Sequence, residues 1–359
     1  MWQTDLLHWF DENASDLPWR GTGDPYAIWI SEIMLQQTQV GTVIPAYESF
    51  LERFPTVEAL ASASIDAVLK AWEGMGYYRR AHNLYRAARI IVEEHGGSFP
   101  QSAAALEELP GIGPYTAGAI ASIAFGEAVP AVDGNVIRVL ARVLNISDDV
   151  RQSATKRAIR QRAADFIPVE RPGDFNQALM DLGRRICRPR RPDCLHCPIT
   201  QSCEAYRLGL QNALPVKSRR ASTPHHDVTA AVIWKNRARD LLLIAQRPDD
   251  KMLGGLWEFP GGKVEPGEEL KDCLRRELRE ELGIEVEIER QMLQLKHAYT
   301  HFRITLHVFE CVHIGSSQPR ALDCADWAWI ALGQADDYAF PATDRQIVEE
   351  LRERENRLL

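Results

Sequence analysis

Four of the chain's seven cysteines fall within seventeen residues, as Cys187-x6-Cys194-x2-Cys197-x5-Cys203, and no other feature constrains the fold as strongly. Disulfides are disfavoured in a reducing compartment. The alternative is a metal held by thiolates in a loop-rich segment, which Pro189, Pro192 and Pro198 punctuate. Structural zinc prefers two separated short-spaced pairs, and one such pair is present; a compact set of four suits a [4Fe–4S] cluster. Spacing alone leaves both open. Cys273, Cys311 and Cys324 are scattered and read as small core residues.

The pattern on either side of this segment differs in kind. Apolar positions recur at helical spacing in Val57–Trp72 and Ala81–Val92, and Gly96-Gly97, Pro100, Pro110-Gly111 and Pro172-Gly173 punctuate what reads as helix throughout. After Cys203 a connector with Lys217, Arg219 and Arg220 shows no apolar stripe. Beyond it Val228–Trp234, Asp240–Ala245 and Thr305–Val312 read as strands and Leu270–Leu282 as one amphipathic helix. With 359 residues, the chain divides into an all-α domain at 1–211, a linker at 212–226 and an α+β domain at 227–359.

The net charge of −8 argues against a nucleic-acid partner until it is resolved along the chain. Residues 1–129 carry −9, residues 130–222 carry +8 and residues 223–359 carry −7. A polyanion responds to the local field, so the basic block, densest at Arg184, Arg185, Arg188, Arg190 and Arg191, suits phosphates as well as it suits a solvated face. No apolar run approaches the roughly 18 residues of a membrane span, and Met1-Trp2-Gln3-Thr4-Asp5 does not open a signal peptide. A cytoplasmic protein is expected.

Three stretches carry chemistry. Leu109-Pro110-Gly111-Ile112-Gly113-Pro114 turns on glycines into an Ala-rich helix, and Gly111 and Gly113 would let backbone amides approach a phosphate. Val132-Asp133-Gly134-Asn135 sets a carboxylate at another helix start, where a cap is the plain explanation. Ser31-Glu32-Ile33-Met34-Leu35-Gln36-Gln37-Thr38-Gln39-Val40 is unusually polar for a helix core.

Together with Leu17-Pro18-Trp19-Arg20, Trp72 through Tyr78, Phe175-Asn176-Gln177-Ala178-Leu179 and the cysteine spacing, these stretches resemble, in order over nearly all of residues 1–215, the helix-hairpin-helix iron–sulfur DNA glycosylases. The match narrows to the MutY family of adenine glycosylases that act opposite 8-oxoguanine. The resemblance implies a multidomain protein, an all-α helix-hairpin-helix glycosylase with a [4Fe–4S] loop on Cys187, Cys194, Cys197 and Cys203, followed by an α+β Nudix-like domain. It implies that Glu32 protonates the flipped adenine, that Asp133 stabilises or traps the sugar cation, and that Tyr115 and Asn135 orient the pair. Gln37 and Tyr77 resemble residues that wedge into the base stack, and Trp19, Arg20 and Gln177 resemble the adenine pocket, although each could be packed core. Related glycosylase/lyases place a Schiff-base lysine where Tyr115 stands, so strand cleavage is not expected. The partner is duplex DNA with A:8-oxoguanine or A:G mispairs, bound by a monomer in a bacterial-type cytoplasm, at the nucleoid.

The C-terminal part keeps a complete Nudix signature, Gly262-x5-Glu268-x7-Arg276-Glu277-Leu278-x-Glu280-Glu281-x-Gly283-Ile284, which the resembled family usually degrades. Glu277, Glu280 and Glu281 share one helix face and, with the Gly262 carbonyl, suit Mg²⁺; the competing reading pairs them with Arg276 and Arg279. Glu310, on a predicted strand, is the candidate for a further acid outside the box. Tyr299-Thr300-His301 stands where the family's lesion-reading loop has Phe-Ser-His. Two other functions remain open: a glycosylase/lyase for oxidised pyrimidines, which Tyr115 opposes, and a nucleotide pyrophosphatase tethered to DNA, which Glu32 and Asp133 oppose.

Overall fold

The structure is a computed structural model that describes residues 2–218, 223–314 and 317–358, so Arg219 and Arg220 of the expected connector lie outside the described residues. The chain forms two compact units, Met1–Ser62 with Asn83–Arg220, and Ala63–His82 with Ala221–Leu359.

The first unit is helical. Its helix Pro25–Leu35 starts on an Asp24 cap that accepts from the Tyr26 amide at 2.9 Å, and every residue from Tyr26 to Met34 is buried. A helix buried all round must be met closely by its neighbours. The Pro114–Phe125 helix packs against it and is likewise buried from Thr116 to Ser122. There Gly118 is required, because a Cβ would stand 2.4 Å from the Pro130 carbonyl oxygen. The expected helix-hairpin-helix is present: Ala103–Leu106, a turn through Gly111 at φ +78°, then Pro114–Phe125. The helices Gly134–Val143 and Pro172–Arg185 complete the scaffold, packing Val139, Leu140, Phe175 and Leu182 against Leu6 and Phe10 of the Trp2–Asn13 helix.

The second unit is built on a six-stranded mixed sheet: β1 (His225–Trp234), β2 (Leu242–Gln246), β3 (Trp257–Glu258), β4 (Glu285–Ala298), β5 (Arg303–Ile314) and β6 (Asp326–Ile330). The order is β3-β2-β1-β5-β4, with β6 pairing β2; β1 and β5 run parallel and the other pairs antiparallel. Side chains alternate along β1 with period two. Ala230, Val232 and Trp234 face a core completed by Phe340, Ile347 and Leu351, the last two from the Ala342–Leu358 helix; Ala231 and Ile233 face Leu274, Leu278 and Leu282 of the Leu270–Leu282 helix.

Two sequence boundaries move. The expected Val57–Trp72 helix is broken at Ser64, whose hydroxyl caps a separate helix Ile65–Ala71. That helix and the following turn belong to the sheet unit and not to the helical one: Lys70 Nζ donates to the Tyr338 carbonyl at 2.9 Å, Glu73 accepts from the Phe340 amide at 3.1 Å and from Arg345 at 2.7 Å, and His82 Nε2 lies 2.9 Å from the Gly254 carbonyl. The domain division at 211 therefore misses an excursion of Ala63–His82 into the second unit, because partners some 270 residues away in the chain carry no local signal.

Candidate active site

The helical unit holds a cavity of about 740 Å³, within the range usual for small-ligand sites. Eight of the residues singled out in the sequence line it: Trp19, Arg20, Glu32 and Gln37 from the first fifty residues, and Tyr115, Asp133, Asn135 and Gln177 from three later elements. Glu32 lies in the third turn of Pro25–Leu35 and is only 6% exposed. Tyr115, in the first turn of Pro114–Phe125, donates its hydroxyl to Glu32 Oε2 at 2.5 Å. Burial is the main force on Glu32 and lifts its pKa to about 7; the Tyr115 hydrogen bond works against that, and the nearby Asp133 charge adds to it. A carboxyl poised there is a proton donor at neutral pH.

Asp133 is indeed the cap of Gly134–Val143: its Oδ1 accepts from the Val136 amide at 2.7 Å. The cap does not exhaust it. Oδ2 accepts from Asn135 Nδ2 at 2.6 Å, and burial pushes the carboxyl above its usual range while these donors pull it back. Asn135 is itself held, since Arg138 Nη2 donates to its Oδ1 at 2.8 Å. The same guanidinium donates through Nε to the Cys187 carbonyl at 2.7 Å, so a continuous hydrogen-bonded line joins Asp133 to the first cysteine of the quartet.

Cys187 follows the end of the Pro172–Arg185 helix, Cys194, Cys197 and Cys203 lie in or just after two short 3₁₀ turns, and all four thiols are free and half-buried. Buried Arg142 donates to Cys187 Sγ at 3.1 Å. Backbone amides of Ile199, Ala205 and Tyr206 are directed at Cys197 and Cys203, and the four sulfurs are close enough to feel one another's charge. Among the described residues no three His, Cys, Asp or Glu side chains close on the point of a single ion. Four cysteines with N–H donors directed at Cys187, Cys197 and Cys203 are a donor set that fits an iron–sulfur cluster.

Other expected residues stand as follows. Trp19 is both pocket wall and core: it is buried, edge-on to Tyr47 at 5.3 Å. Gly111 admits no side chain, as a Cβ would lie 2.6 Å from Asn83; Gly113 has open space. The two wedge candidates share a feature that sequence did not announce, a left-handed backbone, with φ +60° at Gln37 and +48° at Tyr77. In the sheet unit Tyr77 is 43% exposed and its hydroxyl hydrogen-bonds Thr300. Of the predicted lesion loop, Tyr299 is half-buried between His297 and Phe302, while Thr300 and His301 are exposed.

At the Nudix box the competing pairing is what the structure has for two of the three glutamates, since Arg276 Nη1 lies 2.9 Å from Glu277 and 3.1 Å from Glu280. The Gly262 carbonyl already accepts from the Thr229 amide at 2.8 Å. Glu281 differs: its Oε2 is buried with no hydrogen-bond partner, and burial beside Glu258 and Glu277 raises it to about 8. Glu310 is not the further acid. It is 3% exposed and bound by Arg239 at 2.8 Å, Arg290 at 2.9 Å and Trp234 Nε1 at 3.2 Å. The acids that do stand by the box are Glu258, paired with Arg247, and Asp344, raised to about 7 by burial; the sequence offered no periodicity to find them. In the cavity, Asp181 was also missed, although it follows Gln177 by one helical turn, and Arg184, read in the sequence as part of the basic block, lines the cavity too.

Fold and site together define a base-excision DNA-repair protein of the helix-hairpin-helix type with a second domain. Residues 30–167 match the HhH-GPD superfamily base excision DNA repair protein, and residues 229–350 match the NUDIX domain. The chain is 38% identical to the adenine DNA glycosylase of Mus musculus, over 86% of this chain and 70% of that one, and 34% identical to the adenine DNA glycosylase of a Buchnera aphidicola, over 84% of each. It belongs to the adenine DNA glycosylase family. Among solved structures it resembles a thermostable thymine-DNA glycosylase (30% identity, TM-score 0.52, 57% of this chain and 95% of that one). It shares its fold with endonuclease III in a DNA complex (21% identity, TM-score 0.50, 58% and 95%).

Proposed function

We propose that the helical unit hydrolyses the N-glycosidic bond of adenine flipped out of duplex DNA opposite 8-oxoguanine or guanine, leaving the strand intact. The observation that carries this is the convergence of Glu32, Tyr115, Asp133 and Asn135 on one cavity. Bond breakage builds positive charge on the sugar and negative charge on the leaving base. Tyr115 donates to Glu32 Oε2, which leaves the acid's own proton on Oε1 for an adenine ring nitrogen. Asp133, with both oxygens held by N–H donors, stays a fixed anion beside the sugar and stabilises or traps the cation. No lysine competes at Tyr115, so the chain is a glycosylase without Schiff-base lyase chemistry.

Cys187, Cys194, Cys197 and Cys203 would hold the [4Fe–4S] cluster, which when bound supplies a rigid anchor for the loop bearing Arg188, Arg190 and Arg191. Those arginines, with amides around Gly111 and Gly113, bind phosphates. Thr300 and His301 read 8-oxoguanine, and Tyr77, tied to Thr300, wedges beside it. Among the described residues no helix is long and apolar enough to cross a membrane; the proposed setting is duplex DNA, bound by a monomer in the cytoplasm.

The test is cleavage of duplexes carrying A opposite 8-oxoguanine, guanine or cytosine, with and without alkali. Base release with strand scission only after alkali is expected. Alkali-independent scission at the rate of base release would defeat the monofunctional reading. A second reading, Nudix hydrolysis in the sheet unit, is favoured by one observation, the unpartnered buried Oε2 of Glu281, which a Mg²⁺ ion would satisfy.

A further inference from the structure

Asp181 is a buried charge for which the proposed chemistry has no task. It lies on the Pro172–Arg185 helix, 3% exposed, and lines the same cavity as Glu32. A buried carboxylate without a partner would be lost to protonation. Asp181 has three partners: Oδ2 is 2.8 Å from Arg20 Nη1 and accepts from the Ser15 amide at 3.3 Å, and Oδ1 is 3.1 Å from Arg184 Nη2. Burial is the largest single influence and pushes this carboxyl up, but the hydrogen bond and charge of Arg20, the charge of Arg184 and the Ser15 amide together outweigh it, so Asp181 is held below the usual carboxylate range. It is an anion.

Arg20 has reason to be compensated. Its guanidinium lines the cavity 5.2 Å over the Phe10 ring, with the Ser15 carbonyl at 3.0 Å as its other acceptor, and its field reaches Glu32. A positive charge beside a general acid favours the ionised form and so disarms it. The groups facing Glu32 are Tyr115 from the hairpin helix, Asp133 from the next helix start and Arg20 from the loop before Pro25; behind Arg20 stand Asp181 and Arg184.

We propose that Asp181 is a positioning residue whose anion pins Arg20 against the cavity wall and cancels the positive charge that would otherwise strip the proton from Glu32. The inference rests on the reading of this cavity as the adenine site. Asp181 touches no reacting atom; it sets the pH range over which Glu32 can act.

The experiment follows Glu32 directly, by carbon NMR of glutamate-labelled full-length holoprotein with the signal assigned from Glu32→Gln, alongside single-turnover adenine release against pH. In Asp181→Asn the Glu32 midpoint and the basic limb of the rate profile should both fall by about one pH unit, as expected for an uncompensated neighbouring cation. The double variant Arg20→Gln/Asp181→Asn should return the midpoint to its original pH, although the rate stays low. An unmoved midpoint in Asp181→Asn, or a shift that persists in the double variant, would overturn the proposal. Should Asp181→Asn fail to fold, Arg20→Gln alone must raise the midpoint, and its failure to do so overturns the proposal equally. Absence of adenine release from the unaltered protein would count against the proposed function, while the NMR titration still decides the role of Asp181.

Discussion

Tyr115 and Glu32, 83 residues apart, are joined by a 2.5 Å hydrogen bond in which the phenol is the donor. The direction matters, because a donor to a carboxylate favours its ionised form. Tyr115 thus opposes the burial that raises Glu32 to about 7. Adenine release should therefore decline as pH rises through about 7, with Glu32 losing its proton. Tyr115→Phe removes the opposing hydrogen bond, so its basic limb should move to higher pH while its maximal rate drops through lost orientation. A single-turnover pH series on both proteins checks the sign, and a limb moving to lower pH contradicts it.

Glu32→Gln and Asp133→Asn should each abolish adenine release and leave DNA affinity within about tenfold, or ~1.4 kcal/mol. Both side chains are assigned to the barrier and not to binding. Asp133→Asn keeps a cap oxygen for the Val136 amide, so its melting temperature should stay near that of the unaltered protein. Near-normal turnover in either variant would be the contrary result.

Arg138 supports Asn135 and the Cys187 carbonyl with one guanidinium, and also donates to the Gly183 carbonyl at 2.6 Å. Arg138→Leu should slow adenine release by roughly 10- to 100-fold, through loss of about 1.5–3 kcal/mol of charge-assisted hydrogen bonding to Asn135. It should also loosen the cysteine loop, read as faster cluster loss to a chelator. A variant with normal kinetics and a stable cluster would show the line to be packing alone.

Thr300→Ala with His301→Ala should lower the preference for 8-oxoguanine over guanine by on the order of 1–3 kcal/mol. Tyr77→Phe, which removes the hydroxyl bound to Thr300 and keeps the ring, should lower it by less. Equal losses against both partner bases would indicate a folding defect and not lost recognition.

The Glu281 carboxyl, raised to about 8 by burial, should accept Mg²⁺ only as it ionises, so binding by calorimetry should strengthen as pH rises from 7 to 9. Pyrophosphate release from 8-oxo-dGTP by the full chain, compared with Glu281→Gln, tests hydrolysis. Neither binding nor turnover above that variant would reduce the box to a structural element.

Chemistry written in short spacings was legible before any fold was known. The cysteine quartet, the glycine hairpin, the Asp133 cap, the helix Leu270–Leu282 and the strand cores of β1 and β5 all depend on neighbours a few residues away, through turns, caps and periodicity. Strand β4 was missed because its alternation is broken in the middle: Val286 and Ile288 keep the period at one end and Leu293 and Leu295 at the other, with two register irregularities between them. What tertiary structure alone decided is which charges meet. Glu310 read as a catalytic acid until two arginines from other elements closed on it, Asp181 drew no attention until Arg20 lay against it, and Ala63–His82 sat within a helical sequence until Tyr338, Phe340 and Arg345 claimed it. The reason is physical: a side chain's identity travels with the sequence, but its burial and its counter-ion, which set its charge, come from residues as many as 272 positions away.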